Sequence, residues 1–282
     1  MNDVQKCILD IYKEIKKVCD KNHITYYGSS GTCLGAIRHK GFIPWDDDMD
    51  IDIPIEEFDR FLEVAKKELP EYLEIYSPFE RSHFPHLMVK IIDKRTTFIE
   101  KAFLKYEDSW SGVWIDIIPI CGVPKNILAR KLFYARIWKS MYLDLYYRED
   151  YLGSHFVFLQ KMIKNFILKN RDTNFYMRKQ LELVKKHSFK KASYVMDVGF
   201  FHFENWTSKK CWFDKRKEVE FEDTTIFVPS ETDAYLTKQF GNYMEIPKKE
   251  DRIIHHGFID LNRSYKYYVK NPEIIREYFK NN

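Results

Sequence analysis

Apolar residues at Val4, Cys7, Ile8, Ile11, Tyr12, Ile15 and Val18 recur at steps of three and four, which predicts an amphipathic helix reaching to about Asp20. A second helix is expected over Glu56–Leu69, opening just after Pro54. Around these lie short β-branched or alternating runs that read as strands: Ile24–Tyr27, Met49–Ile53, Leu87–Ile92 and Trp114–Ile118. From Lys125 to Lys191 long helices are expected, with Leu128, Leu132, Ala135, Trp138, Tyr142 and Leu145 at helical steps. Mixed structure resumes with a strand at Thr225–Val228, a helix near Glu231–Phe240 and a turn at Gly241-Asn242. The pattern predicts an α/β or α+β sheet domain. Its parts are a core at 1–124, a helical insertion at 125–191 and a C-terminal part, 192–282, that completes the core.

Composition narrows this only in places. With 282 residues, 45% hydrophobic, the chain can bury a core without covalent staples. The five cysteines are scattered and odd in number, with no CxxC or zinc spacing, so reduced thiols in a cytoplasmic setting are expected, Cys33 being a small buried filler. Acidic residues interrupt the apolar stretches of the N-terminus, which therefore does not read as a signal peptide, and no window is long and apolar enough for a spanning helix. A net charge of +4 is too small to imply a nucleic-acid partner. The distribution of charge is more informative. Residues 125–191 hold sixteen Lys and Arg against five Asp and Glu, while the remainder holds 30 basic and 37 acidic residues. That basic zone reads either as a solvated helical face or as a surface for an anionic membrane or glycan.

Chemistry concentrates in one stretch. Five of the seven residues from Asp46 to Asp52 are carboxylates, which repel one another unless a cation neutralises them. In a strand of period two, Asp48, Asp50 and Asp52 face one side while Met49, Ile51 and Ile53 face the core. Carboxylates two apart on one strand can converge on a hard divalent cation such as Mg²⁺ or Mn²⁺. An EF-hand register fits Asp46, Asp48, Asp50 and Glu57, but Ile51 stands where the loop needs Gly. A calcium loop is thereby excluded.

Upstream, Gly28-Ser29-Ser30-Gly31-Thr32 is a small-residue turn after the first strand. Small residues let backbone amides approach phosphate oxygens, so Ser30, Gly31 and Thr32 are candidate phosphate binders. The spacing matches neither a Rossmann loop nor a P-loop. Arg38 offers a guanidinium fork to phosphate or is an ordinary surface arginine. Lys90 is a further candidate cation or a plain strand-face residue. His255 and His256 either contact donor or acceptor or are unremarkable surface.

The run Ser30–Arg38 followed by Gly41-Phe42-Ile43-Pro44-Trp45-Asp46-Asp47-Asp48-Met49-Asp50 resembles the LicD family of phosphoryl-substituent transferases, which includes the fukutin-related proteins. Further matches are Trp114–Pro119, Val228-Pro229, Tyr235-Leu236, Phe240–Met244, Pro247 and the His255-His256 pair. The resemblance implies an α+β, nucleotidyltransferase-like fold of the DNA-polymerase-β type. It implies metal-binding catalytic carboxylates at Asp48, Asp50 and Asp116, with Asp46 binding metal or orienting a ligand and Asp47 and Asp52 behind them. It implies a CDP-activated donor, often CDP-choline and sometimes CDP-ribitol, and a hydroxyl of a cell-surface glycan or glycolipid as acceptor, with CMP leaving. Two other readings stay open at this level: a nucleotidyltransferase releasing pyrophosphate, and a non-catalytic nucleotide- or metal-binding module. A location in the cytoplasm, peripheral on the inner membrane face, suits the expected acceptor.

Overall fold

The computed structural model describes residues 1–78, 87–147, 174–199, 203–252 and 257–281. The N-terminal helix, α1 (Asp3–Lys21), opens on a capping box: the Asn2 carboxamide accepts the Gln5 amide at 2.8 Å, and Gln5 Oε1 accepts the Asn2 amide at 2.9 Å. Ile8, Ile11, Tyr12, Ile15 and Val18 form its buried stripe, as the periodicity requires. The buried Gln5 also donates to the carbonyls of Ile43 and Asp46, which pins the acidic loop to this helix.

A very short strand, β1 (Tyr27–Gly28), leads into α2 (Ser30–His39). Gly35 lets the chain return over this helix, because a Cβ there would stand 2.5 Å from the Gly41 carbonyl oxygen. Lys40 makes the reversal in the left-handed region at φ 56°. Strand β2 (Asp50–Pro54) follows, then α3 (Ile55–Glu68), β3 (Leu73–Tyr76), β4 (Val89–Asp93), β5 (Thr97–Glu100) and β6 (Trp114–Val123). After α4 (Ile127–Tyr147) and α5 (Phe175–Lys185) come β7 (Tyr194–Asp197), β8 (Thr207–Lys209), β9 (Arg216–Phe221), β10 (Thr224–Pro229), α6 (Thr232–Phe240), β11 (Gly257–Asp260), α7 (Tyr265–Lys270) and α8 (Pro272–Asn281).

The main sheet is mixed, in the order β1-β2-β6-β4-β3, with β7 also on β6 and β8 on β7. The ten residues of β6 are all buried, and this strand fixes the site through two registers. On one side it runs parallel to β2, with Asp50 opposite Asp116; on the other it runs antiparallel to β4, with Lys90 opposite Asp116. Its far half pairs with β7, Ile120 opposite Asp197. Ile51, Ile53, Ile115 and Ile117 are fully buried, each contributing about 2 kcal/mol of transfer free energy, which offsets part of the cost of burying acids between them. The outer pairs β9–β10 and β5–β11 are antiparallel.

The expected strand at Trp114–Ile118 continues through Pro119 to Val123. The Asp116 amide points to β2, donating to the Met49 carbonyl, so at alternating residues Pro119 turns its missing donor to the opposite edge. There the β4 ladder has ended at Ile117 and the β7 ladder begins at Ile120, so little is lost.

Helix α4 also departs from expectation. Its buried face carries Phe133, Tyr134, Ile137 and Met141, whereas Leu128, Leu132, Ala135 and Trp138 point outward. The helix is apolar on two faces, and period alone cannot say which one meets the sheet.

Candidate active site

Three strands bring the chemistry together. The β2 backbone is clamped where the acids begin: Thr32 Oγ1 accepts the Asp50 amide at 2.8 Å, and the Asp50 carbonyl accepts the Ser29 amide at 3.1 Å. Asp50 and Asp116 thus sit side by side on neighbouring parallel strands, both nearly enclosed. Trp114, two residues before Asp116 on the same strand face, donates its indole N–H to Asp116 Oδ2 at 3.0 Å. Lys90 Nζ lies 3.8 Å from Asp116 Oδ1 and 3.6 Å from the centre of the Trp114 ring.

Burial pushes the Asp50 carboxyl well above the usual range, helped by the charges of Asp48, Asp116, Asp197 and Asp52. Asp116 is also raised by burial, opposed by Lys90 and the Trp114 hydrogen bond and reinforced by Asp48. Asp48 precedes β2 rather than standing in it, yet its charge acts on both neighbours. Of the expected row Asp48, Asp50 and Asp52, β2 holds Asp50 and Asp52, both buried, while Asp48 stands just before the strand. Asp46 lies across from Gly31, whose added Cβ would come 3.1 Å from Asp46 Oδ2.

A divalent cation suits this set. Asp116 Oδ1 is buried without a hydrogen-bond partner, and burial together with neighbouring carboxylates raises both Asp50 and Asp116, a cost that a cation among them would relieve. Among the described residues no three His, Cys, Asp or Glu side chains already surround a common point as a metal cage. The fit rests on hard oxygen donors in register, not on a finished cage.

Behind these acids the buried Asp52 and Asp197 interact closely enough to form a carboxyl–carboxyl hydrogen bond. Burial raises both, Asp197 to about 7, while the Gly199 amide at 2.8 Å opposes the rise at Asp197. The folded protein thus keeps a proton that the unfolded chain releases above about pH 4. Stability present at low pH is lost as pH rises through the window up to about 7. Asp197→Asn is expected to flatten this decline in urea midpoints of metal-free protein between pH 5 and pH 8; an unchanged slope would mean the pair does not share a proton.

The match to known sequences falls on this same region. Residues 23–120, which contain α2, the acidic loop, β2 and Asp116, fit the family model described as LicD/FKTN/FKRP, nucleotidyltransferase domain. Residues 23–120 thus match a LicD-family domain. Over 267 residues it is 28% identical to the lipopolysaccharide cholinephosphotransferase LicD of Haemophilus influenzae, covering 91% of this chain and 96% of that protein. Shorter similarities reach uncharacterised proteins of Rickettsia typhi, 39% over 74 residues and 23% of that protein, and Rickettsia prowazekii, 46% over 50 residues and 19%.

Within the LicD-family domain, the structure brings Asp48, Asp50, Asp116 and Lys90 together and places Ser30, Gly31 and Thr32 on the first turn of α2. The Ser30 amide already donates to Tyr235 Oη at 3.1 Å, and Ser30 takes φ 48°. Gly31 and Thr32 amides have no acceptor among the described residues. Arg38 is not turned to this cluster: its guanidinium donates to the carbonyls of Tyr243 and Glu245, and its Nε lies 2.9 Å from His39 Nε2. His255 and His256 lie outside the described residues. Three residues were given no site role from the sequence: Trp114 and Tyr235 stood only among the motifs that carry the resemblance, and Asp197 depends on long-range pairing that local pattern does not carry. Cys33 is fully buried with its thiol pushed far up, the inert filler expected of it.

Proposed function

We propose that this protein transfers a phospho-substituent, phosphocholine first among the candidates, from a CDP-linked alcohol to a glycan hydroxyl, with CMP as the other product. The observation that supports the reading is the lateral set Asp50–Asp116–Lys90 across β2, β6 and β4, with Asp48 within electrostatic reach of both acids. The curled mixed sheet around it suits a nucleotidyltransferase-like fold of the polymerase-β type. Phosphocholine stands first because the Haemophilus influenzae relative, aligned over nearly its whole length, is named a lipopolysaccharide cholinephosphotransferase.

Asp48, Asp50 and Asp116, with Asp46 beside them, would hold Mg²⁺ or Mn²⁺ once their carboxylates turn toward one another. When bound, the metal offsets negative charge on the donor diphosphate and on the departing oxygen. Lys90 favours the ionised form of Asp116 despite its burial, and the tryptophan ring beneath Lys90 fixes that cation in place. The Gly31 and Thr32 amides, at the positive end of α2, are the backbone donors available to phosphate oxygens. The acceptor hydroxyl oxygen forms a bond to the phosphorus that carries the head group as the bond from that phosphorus to the CMP oxygen breaks. Asp46 or Asp116 takes the hydroxyl proton. Most of the rate gain is positioning and charge stabilisation.

A thermal-shift screen of CDP-choline, CDP-ethanolamine, CDP-glycerol and CDP-ribitol tests the donor class. At a hundredfold excess over its dissociation constant a ligand adds about 2.7 kcal/mol, a rise of several degrees. The expected result is a rise with one CDP-alcohol that requires Mg²⁺ and is absent with EDTA. No rise with any of the four would count against the reading, and pyrophosphate instead of CMP among the products would favour nucleotidyl transfer.

A further inference from the structure

Among the described residues, helix α4 is the long element whose outer face does not look like a solvated surface. Ile127, Leu128, Leu132 and Trp138 are 64, 74, 55 and 50% exposed. On a helical projection they share one side, opposite the buried Phe133, Ile137 and Met141. Lys131, Arg136 and Lys139 are interleaved with them on that side, and Lys125 stands just before the helix; all four are exposed. From Lys125 to Leu143 the sequence holds five basic residues and no acid; the first acid on the helix is Asp144.

The positive surface continues beyond the helix. Arg130 and Lys131 line a cavity of about 360 Å³ together with Lys209 and Lys238 from β8 and α6, and Glu204 is the acid on its rim. Two of these cations are already engaged: Arg130 donates to the Pro124 and Lys125 carbonyls, and Lys238 donates to the Glu204 carbonyl. Lys131 and Lys209 have no ion-pair partner among the described residues. No helix of the described residues is long and apolar enough to cross a membrane, so any lipid contact through α4 is made along its side.

We propose that the outer face of α4 is a membrane-docking surface for bilayers rich in anionic phospholipid. Leu128, Leu132 and Ile127 enter the headgroup boundary, while Lys125, Lys131, Arg136 and Lys139 keep their charges at the phosphates and lay their aliphatic stems along the apolar side chains. Mixed charge would be expected of a merely solvated helix, and an uncharged apolar stripe of a self-association seam. The interleaving of exposed leucines with unopposed cations matches a surface that is both apolar and negative. α4 starts at the end of β6 remote from Asp116, about 23 Å along the strand, so docking there leaves the carboxylate cluster uncovered. The inference does not depend on the transfer reaction.

Co-sedimentation of the full chain with vesicles is the test. Binding is expected to vesicles of 60% phosphatidylcholine and 40% phosphatidylglycerol in low salt, to be absent from pure phosphatidylcholine, and to be lost in high salt. Each removed cation should weaken binding about fivefold, so Lys131→Glu with Lys139→Glu should reduce it by at least about 25-fold. Leu128→Ser with Leu132→Ser should reduce it comparably. These side chains are outside the core, and an unchanged melting temperature verifies the fold; if the leucine variant fails to fold, the lysine variant decides. No binding in low salt, equal binding to neutral vesicles, or binding indifferent to the folded variants overturns the proposal. So does a wild-type dimer in sedimentation velocity that the leucine variant dissociates without any vesicle binding, which would assign the face to a second copy.

Discussion

Asp50→Asn and Asp116→Asn are each expected to lower CMP release by about a thousandfold or more while the protein stays folded. The size follows from losing one preorganised charge at a phosphoryl-transfer centre, where single electrostatic groups are worth two to three orders of magnitude. The separation of activity from stability follows from burial. Asp50 is raised by desolvation and by four neighbouring carboxylates, so a neutral amide of the same shape removes repulsion. Metal-free Asp50→Asn should therefore melt at or above the wild-type temperature. Asp116→Asn escapes the cost of burying a carboxylate but takes away the partner of the buried Lys90 cation, and should lower the melting temperature while leaving the protein folded. Rates within tenfold of wild type would remove these residues from the reaction, and a rate lost only together with the fold would give them a structural role.

Lys90→Met is expected to destabilise the protein by about 3 kcal/mol. The methionine keeps an unbranched chain against Trp114 but removes the cation, leaving Asp116 buried next to Asp50 with the indole N–H as its hydrogen-bond donor. Breaking a buried ion pair from one side costs about 3–5 kcal/mol. The lower end applies here, because both side chains keep slight exposure, 11 and 12%, and lie 3.8 Å apart. The companion expectation is non-additivity: adding Asp116→Asn to Lys90→Met should recover at least about 1 kcal/mol, since the orphaned charge is then gone. Urea unfolding of the four proteins measures this directly. Strict additivity would mean that Lys90 and Asp116 do not interact in the folded state.

Much of the local architecture was legible because it is periodic. The 3/4 spacing from Val4 to Val18 gave α1, and the alternation around Ile51 and Ile53 gave the strand that carries the acids. Asp116 was marked by the family resemblance, within the matching run Trp114–Pro119. What could not be read is what depends on pairing between distant segments. Lys90 had two equal readings until β4 was laid antiparallel on β6 and brought it opposite Asp116. Asp197 had no signal at all, since its meaning lies in facing Asp52 from a strand about 145 residues away. Pro119 was misleading for the opposite reason: its local preference to end a strand is satisfied by a gap in the neighbouring ladders. Helix α4 was recognised but not its orientation, because both of its faces carry large apolar residues.

Mn²⁺ uptake followed by electron paramagnetic resonance, in the presence of CDP-choline, tests the shared role of the carboxylates on β2 and β6 most directly. Saturable binding to the wild-type protein is expected, with its loss in both Asp50→Asn and Asp116→Asn, each verified as folded. Equal uptake by wild type and variants, or no uptake by the wild type, would contradict that shared role.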